Sequence, residues 1–175
     1  MPNVPRYDRL AREGLLTVPT LTALARRAEV LDGEPRFLSP EEFTTLTALC
    51  ETLRPPYERP IAREIALRID ARLADDAGDG WRYEELPPFR ETYRKGLAAL
   101  LAEGTLDASR VQALWRNQGQ ADWPFSSRRF VEEVLAAVAT HAYSHPVGQD
   151  AIGYVGFADN RGWQRIGLNE RETWE

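Results

Sequence analysis

A chain of 175 residues is long enough for one domain with a real core, and 43% apolar plus 28% charged residues of mixed sign argue against wholesale disorder. The net charge of −5 disfavours sequence-independent binding to nucleic acid or to anionic membranes, since both need a basic surface. The single cysteine, Cys50, has no partner for an internal disulfide, so nothing requires an oxidising compartment.

No apolar stretch approaches the length of a membrane span, so direct membrane insertion is not expected. Residues 1–18 hold prolines, mixed charge and a short apolar run, Leu15-Leu16-Thr17-Val18. They suit an N-terminal arm that packs on a neighbour or a loose terminus. The arm has no cationic start followed by an apolar run, and Arg26-Arg27 leads into the polar Glu29, Asp32, Gly33 and Glu34. The expectation is therefore a cytoplasmic chain, exported only by association with an exported partner.

A helical bundle is expected over 19–146. Leu21, Leu24, Ala25, Ala28 and Leu31 fall at helical spacing, and Asp32-Gly33-Glu34-Pro35 stops that helix. Ser39 as cap, Pro40 at the first helical position and Glu42 closing a capping box start the next one. Phe43, Leu46, Leu49, Cys50 and Leu53 line its face, and Arg54-Pro55-Pro56 ends it. Cys50 on that face suits a buried thiol.

Ile61, Ile65, Ile69 and Leu73 predict a third helix, broken by the run Asp75–Gly80. That run lacks the alternating ligands and closing glutamate of a calcium loop. Phe89, Tyr93, Leu97, Leu100 and Leu101 predict a fourth helix closed by Gly104; Asp107 caps a short fifth with Val111, Leu114 and Trp115. Ser126 or Ser127 caps a long last helix with Phe130, Val131, Val134, Leu135 and Val138 inward, ending at His145-Pro146. No alternating strand, internal repeat or second domain is evident, so the expected class is all-α: a single bundle of about six helices. Residues 147–175 are expected to be an irregular glycine- and aromatic-rich tail packing on the bundle or on a partner.

Candidate chemistry is sparse. His141 and His145 are four residues apart, which puts both imidazoles on one face of a continuous helix, with Asp150 a turn beyond. Those three are the metal candidates, weighed against plain capping of a helix C-terminus by histidine. A triad of Ser144, a histidine and Asp150 lacks any nucleophile elbow. No glycine-rich loop joins a strand to a helix, and no cysteine set suits haem attachment or an iron–sulfur cluster. No catalytic or cofactor-binding residues are assigned. Trp123, Phe125, Tyr154, Phe157, Trp163, Arg165 and Trp174 are the candidate partner-binding residues, because aromatics and arginine are enriched at interface hot spots.

The tail segments Ile152-Gly153-Tyr154, Gly156-Phe157-Ala158, Arg161-Gly162-Trp163 and Arg171–Glu175 resemble the C-terminal signature of the gluconate 2-dehydrogenase subunit 3 family. The earlier Phe37-Leu38-Ser39-Pro40-Glu41-Glu42, followed by Leu46, Ala48, Leu49 and Arg54-Pro55-Pro56, resembles the same family. Ala158-Asp159-Asn160 departs from it, standing where relatives often have proline beside the glycines. The resemblance implies a non-catalytic accessory subunit that binds and stabilises a large FAD-dependent dehydrogenase of the glucose–methanol–choline type. FAD and the catalytic histidine would belong to that partner, and a cytochrome c subunit is a candidate electron acceptor. The alternative is a stand-alone helical metal- or ligand-binding protein using His141, His145 and Asp150.

Overall fold

A computed structural model describes residues 5–14, 16–78, 80, 83–104, 106–118, 122–154 and 156–157. Among them the protein is all-helical, as expected, with eight helices and no strand. They are α1 (Pro5–Arg12), α2 (Val18–Arg27), α3 (Pro40–Leu53), α4 (Ala62–Ala74), α5 (Phe89–Glu103), α6 (Ala108–Trp115), α7 (Ser127–Ser144) and α8 (Pro146–Ala151). The two beyond the expected six are α1, inside the presumed arm, and α8, inside the presumed irregular tail. α8, at six residues, is too short for an apolar stripe to repeat, and α1 offers only the spaced pair Tyr7 and Leu10.

Side-chain caps set several helix starts. The Glu42 N–H donates to Ser39 Oγ at 3.2 Å and the Ser39 N–H donates to Glu42 Oε2 at 2.8 Å, a complete capping box on α3. Asp107 Oδ1 accepts from the Arg110 N–H at 2.8 Å to start α6, and Ser126 Oγ accepts from the Arg129 N–H at 3.3 Å to start α7. The C-terminus of α4 is closed from outside: Arg90 donates to the carbonyls of Leu73 and Ala74, both at 2.7 Å.

The main core lies among α3, α4, α5, α6 and α7, with α3 and α7 at its centre. Leu46 and Leu49 of α3, Ile65 and Leu73 of α4, Tyr93 and Leu97 of α5, Leu114 of α6 and Phe130 and Val134 of α7 are fully buried. Leu101, expected on the inward side of α5, is instead exposed, because it sits one step beyond Leu100 and off the buried stripe. A second, smaller cluster of Tyr7, Leu10, Leu16 and Leu24 joins α1 to α2.

Gly96 lets α5 approach α7. A Cβ there would lie 2.3 Å from the Phe130 ring, which is itself fully buried. Asp70, on α4 and 1% exposed, is a buried carboxylate facing the link between α2 and α3. It accepts three consecutive backbone N–H groups, from Arg36, Phe37 and Leu38, at 2.5, 3.1 and 2.9 Å.

Two substitutions test this packing in urea unfolding. Asp70→Ala should lower the unfolding free energy by about 2–4 kcal/mol, because the loop loses an ionised acceptor shared by three amides. Gly96→Ala gains about 1 kcal/mol of helix propensity but forces a buried ring to move, so a net loss of about 1–2 kcal/mol is expected.

Candidate partner surface at the junction of α7 and α8

The end of the bundle where α7 meets α8 brings together several residues that the sequence singles out. Pro146 disfavours helical geometry in the residue before it. His145 is accordingly extended, at φ −70° and ψ 138°, and it both ends α7 and caps α8. Its Nδ1 accepts from the Val147 N–H at 3.2 Å, so the neutral ring holds its proton on Nε2. The expected stop at His145-Pro146 is thus a corner, with proline at the first position of a further helix.

The corner is tight because Gly148 permits it. A Cβ at that position would lie 2.1 Å from the Ala142 carbonyl oxygen. Gly153 closes α8 with φ +68°. The N–H groups of Gly153 and Tyr154 return to the carbonyls of Asp150 and Gln149 at 3.0 and 2.9 Å, a Schellman arrangement. Tyr154 is 41% exposed, and its hydroxyl donates to the Gly156 carbonyl at 2.6 Å. Its ring meets Phe157 edge-on at 5.4 Å, and Phe157 meets Tyr7 of α1 at 5.9 Å. Ile152 and Tyr143 are also exposed, and Tyr143 meets Tyr57 edge-on at 6.2 Å. This end therefore presents aromatic and aliphatic groups to solvent around a tight turn.

His145 is 7% exposed. Burial lowers its pKa from the ordinary 6.5; Glu64 opposes that shift, while Arg68 and Arg59 reinforce it. Glu64 is already engaged, by the Ile61 N–H at 3.0 Å and by the Arg59 guanidinium. The remaining metal candidates, His141 and Asp150, are half-buried on α7 and α8. The four-residue spacing aligns the imidazoles only along a continuous helix, and the corner at His145 interrupts it. Among the described residues no group of three His, Cys, Asp or Glu side chains is placed to hold a metal ion.

Trp123 and Phe125 lie in the loop before α7, half-buried against the main core. Their rings sit 5.9 and 6.2 Å from that of Phe130. The Trp123 indole N–H donates to the carboxylate of Glu103, which also pairs with Arg110. Both rings thus pack within the chain. Trp163, Arg165 and Trp174 fall outside the described residues.

Cys50 is fully buried and its thiol is pushed up to about 12 by burial, which keeps it protonated and unreactive. A shallow open groove between α3 and α4 is lined by Phe43, Thr47, Ala48 and Ala62. The Thr47 hydroxyl donates to the carbonyl of Phe43, and Arg63 stacks over the Phe43 ring while donating to the Gly33 carbonyl. These polar groups serve the chain itself.

Sequence reasoning overlooked Tyr7, Tyr57 and Tyr143. Tyr7 and Leu10 do carry a signal, an apolar pair three residues apart just after Pro5.

No protein family, curated protein or solved structure matches the chain.

The corner makes a pH prediction. Because the folded-state pKa of His145 lies below its ordinary 6.5, the unfolded chain takes up the proton first as pH falls. Stability from this residue is complete above that value and declines as pH drops below it toward the lowered pKa. His145→Asn keeps a good capping acceptor and removes the titration. Urea midpoints at pH 7.5 and 5 should therefore converge in the variant more than in the wild type.

Proposed function

We propose that the chain works by binding rather than by chemistry of its own, as the accessory subunit of a larger FAD-dependent sugar or alcohol dehydrogenase of the glucose–methanol–choline type. The flavin and the reacting groups belong to the partner, and a cytochrome c subunit is a further candidate member of the complex. One observation carries this reading. The exposed Tyr143, Ile152 and Tyr154 surround a tight corner, and the sequence runs on from it into the Trp163–Trp174 stretch that bears the family resemblance.

The energetics suit such a role. Apolar area removed from water contributes about 25 cal/mol per Å² before association costs, so three exposed side chains cannot by themselves hold a stable complex. A standard interface of roughly 1,200–2,000 Å² would need the aromatic stretch that follows as well. Partner affinity is then expected to concentrate in a few aromatic anchors.

The test is capture of the tagged chain from its own cells at low and moderate salt, with the visible spectrum of the eluate recorded. A stoichiometric large chain with flavin absorbance is expected, and a clean monomer would count against the proposal. Trp163→Ala should weaken association by about thirtyfold, the scale of an interface hot spot. His141→Ala should act only through stability. An intrinsic activity of the isolated chain that His141→Ala abolishes would overturn the accessory-subunit reading.

A further inference from the structure

Among the described residues, neither apolar cluster draws a side chain from α8. Its buried residues are Pro146, Gly148 and Gln149, while Val147 is half-buried and Ala151 and Ile152 are exposed. A helix of six residues has too few internal hydrogen bonds to offset its own nucleation, so it depends on its ends. At the C-terminal end the N–H groups of Gly153 and Tyr154 return to the carbonyls of Asp150 and Gln149. At the N-terminal end the side-chain acceptor is the imidazole of His145.

The chemistry of that cap sets it apart from the others. Ser39 and Ser126 cap with hydroxyls, which do not titrate here. Asp107 caps with a carboxylate that the Arg110 N–H holds below its usual range, so it remains an acceptor at pH 5. The Nδ1 of a neutral histidine is an acceptor, but in the imidazolium it is a donor. Protonation of His145 would therefore set an N–H against the Val147 N–H and leave that amide without its acceptor.

The charged groups that act on the ring lie on α4 and in the loop before it. Burial disfavours the imidazolium most, Arg68 and Arg59 add to that, and Glu64 opposes them. Glu64 is committed to the Ile61 N–H and the Arg59 guanidinium. On the two helices that the ring joins, the neighbouring titratable side chains are His141, Tyr143 and Asp150. From α1, the Tyr7 hydroxyl donates to the carbonyl of Pro146, the next residue. The closed corner thus refuses a proton that a solvated His145 takes up as pH falls below its ordinary 6.5.

We propose that His145 is a proton-operated cap: at neutral pH it holds α8 against the end of α7, and its protonation lets α8 unwind while the bundle of α3–α7 stays folded. Local opening of this kind needs little apolar surface to be exposed, and α8 contributes little. Unwinding also frees the Gly153 turn, so the direction in which the chain leaves the bundle follows pH. The switch belongs to the chain alone and stands whether or not the chain serves a flavoprotein.

Amide hydrogen exchange on the full chain at pH 7.5 and pH 5 tests this, with each rate divided by the intrinsic rate of that amide at that pH. The reporters are the amides of Gln149, Ile152, Gly153 and Tyr154, whose hydrogen bonds lie within α8 and its closing turn. Their opening should rise about three- to thirtyfold at the lower pH, the scale of a lost helix cap. Amides of α3, α4 and α5 should open far less often at both pH values, and α6, with its carboxylate cap, should not share the rise. If the α8 amides do not respond, or respond only in step with α3–α5, the switch does not exist.

His145→Asn keeps an acceptor and removes the titration, so the rise in α8 should vanish. A rise that persists in this variant belongs to another group and overturns the proposal. Should His145→Asn fail to fold, Arg68→Gln decides. It removes a cation that disfavours the imidazolium, so the closed corner accepts the proton more readily and the rise should shrink. An unchanged or larger rise in Arg68→Gln overturns the proposal.

Discussion

A buried carboxylate sets where the first third of the chain meets the rest. Asp70 sits on α4 among Ile69, Ala66 and Leu73, all buried. Removing an ionised group from water is expensive unless hydrogen bonds compensate for it. The compensation comes from the three successive amides of Arg36, Phe37 and Leu38, whose N–H groups converge on one acceptor. Fixing those residues fixes Ser39, the very next one, and so the entry of α3 into the core. Phe37 in turn makes cation–π contacts with Arg90 and Arg94, whose guanidinium carbons lie 5.3 and 4.4 Å from its ring centroid. Arg90 also closes the C-terminus of α4, so one end of the bundle is tied by polar contacts that all pass through the neighbourhood of Asp70.

Much of this fold is legible in the sequence because its signals are local. Ser39-Pro40-Glu41-Glu42 specifies a helix start by itself, and the structure places both halves of the capping box there. Asp107 and Ser126 act the same way. Gly104 ends α5 with φ +85°, a conformation that favours glycine. What escapes is whatever depends on contacts far along the chain. Asp70 looks like an ordinary polar residue between apolar ones, because its three partners lie more than thirty residues away. The Tyr7 ring and hydroxyl matter only once α8 exists to receive them.

Proline caused the largest misreading of local structure. His145-Pro146 reads as a stop, and α7 does end there. Yet proline also suits the first position of a helix, where its missing N–H is no loss. The same residue therefore begins α8, and Gly148 lets α8 turn back on α7. This corner also decides what the two histidines can do together, since the imidazole of His145 leaves the face of α7 and turns its Nδ1 to the Val147 amide.

The aromatics show why candidate contact residues cannot be sorted by type. Trp123 and Tyr154 are both large, amphipathic and outside helices. The indole N–H of Trp123 finds a carboxylate, Glu103, that is itself buried and paired with Arg110, so the ring can enter the core with its polar edge satisfied. The Tyr154 hydroxyl finds the carbonyl of Gly156, two residues on, which satisfies it without drawing the ring inward. Whether such a residue packs inside or faces outward thus depends on where its polar end meets a partner. That partner can lie on another helix, as Glu103 does for Trp123, or within the same turn, as Gly156 does for Tyr154.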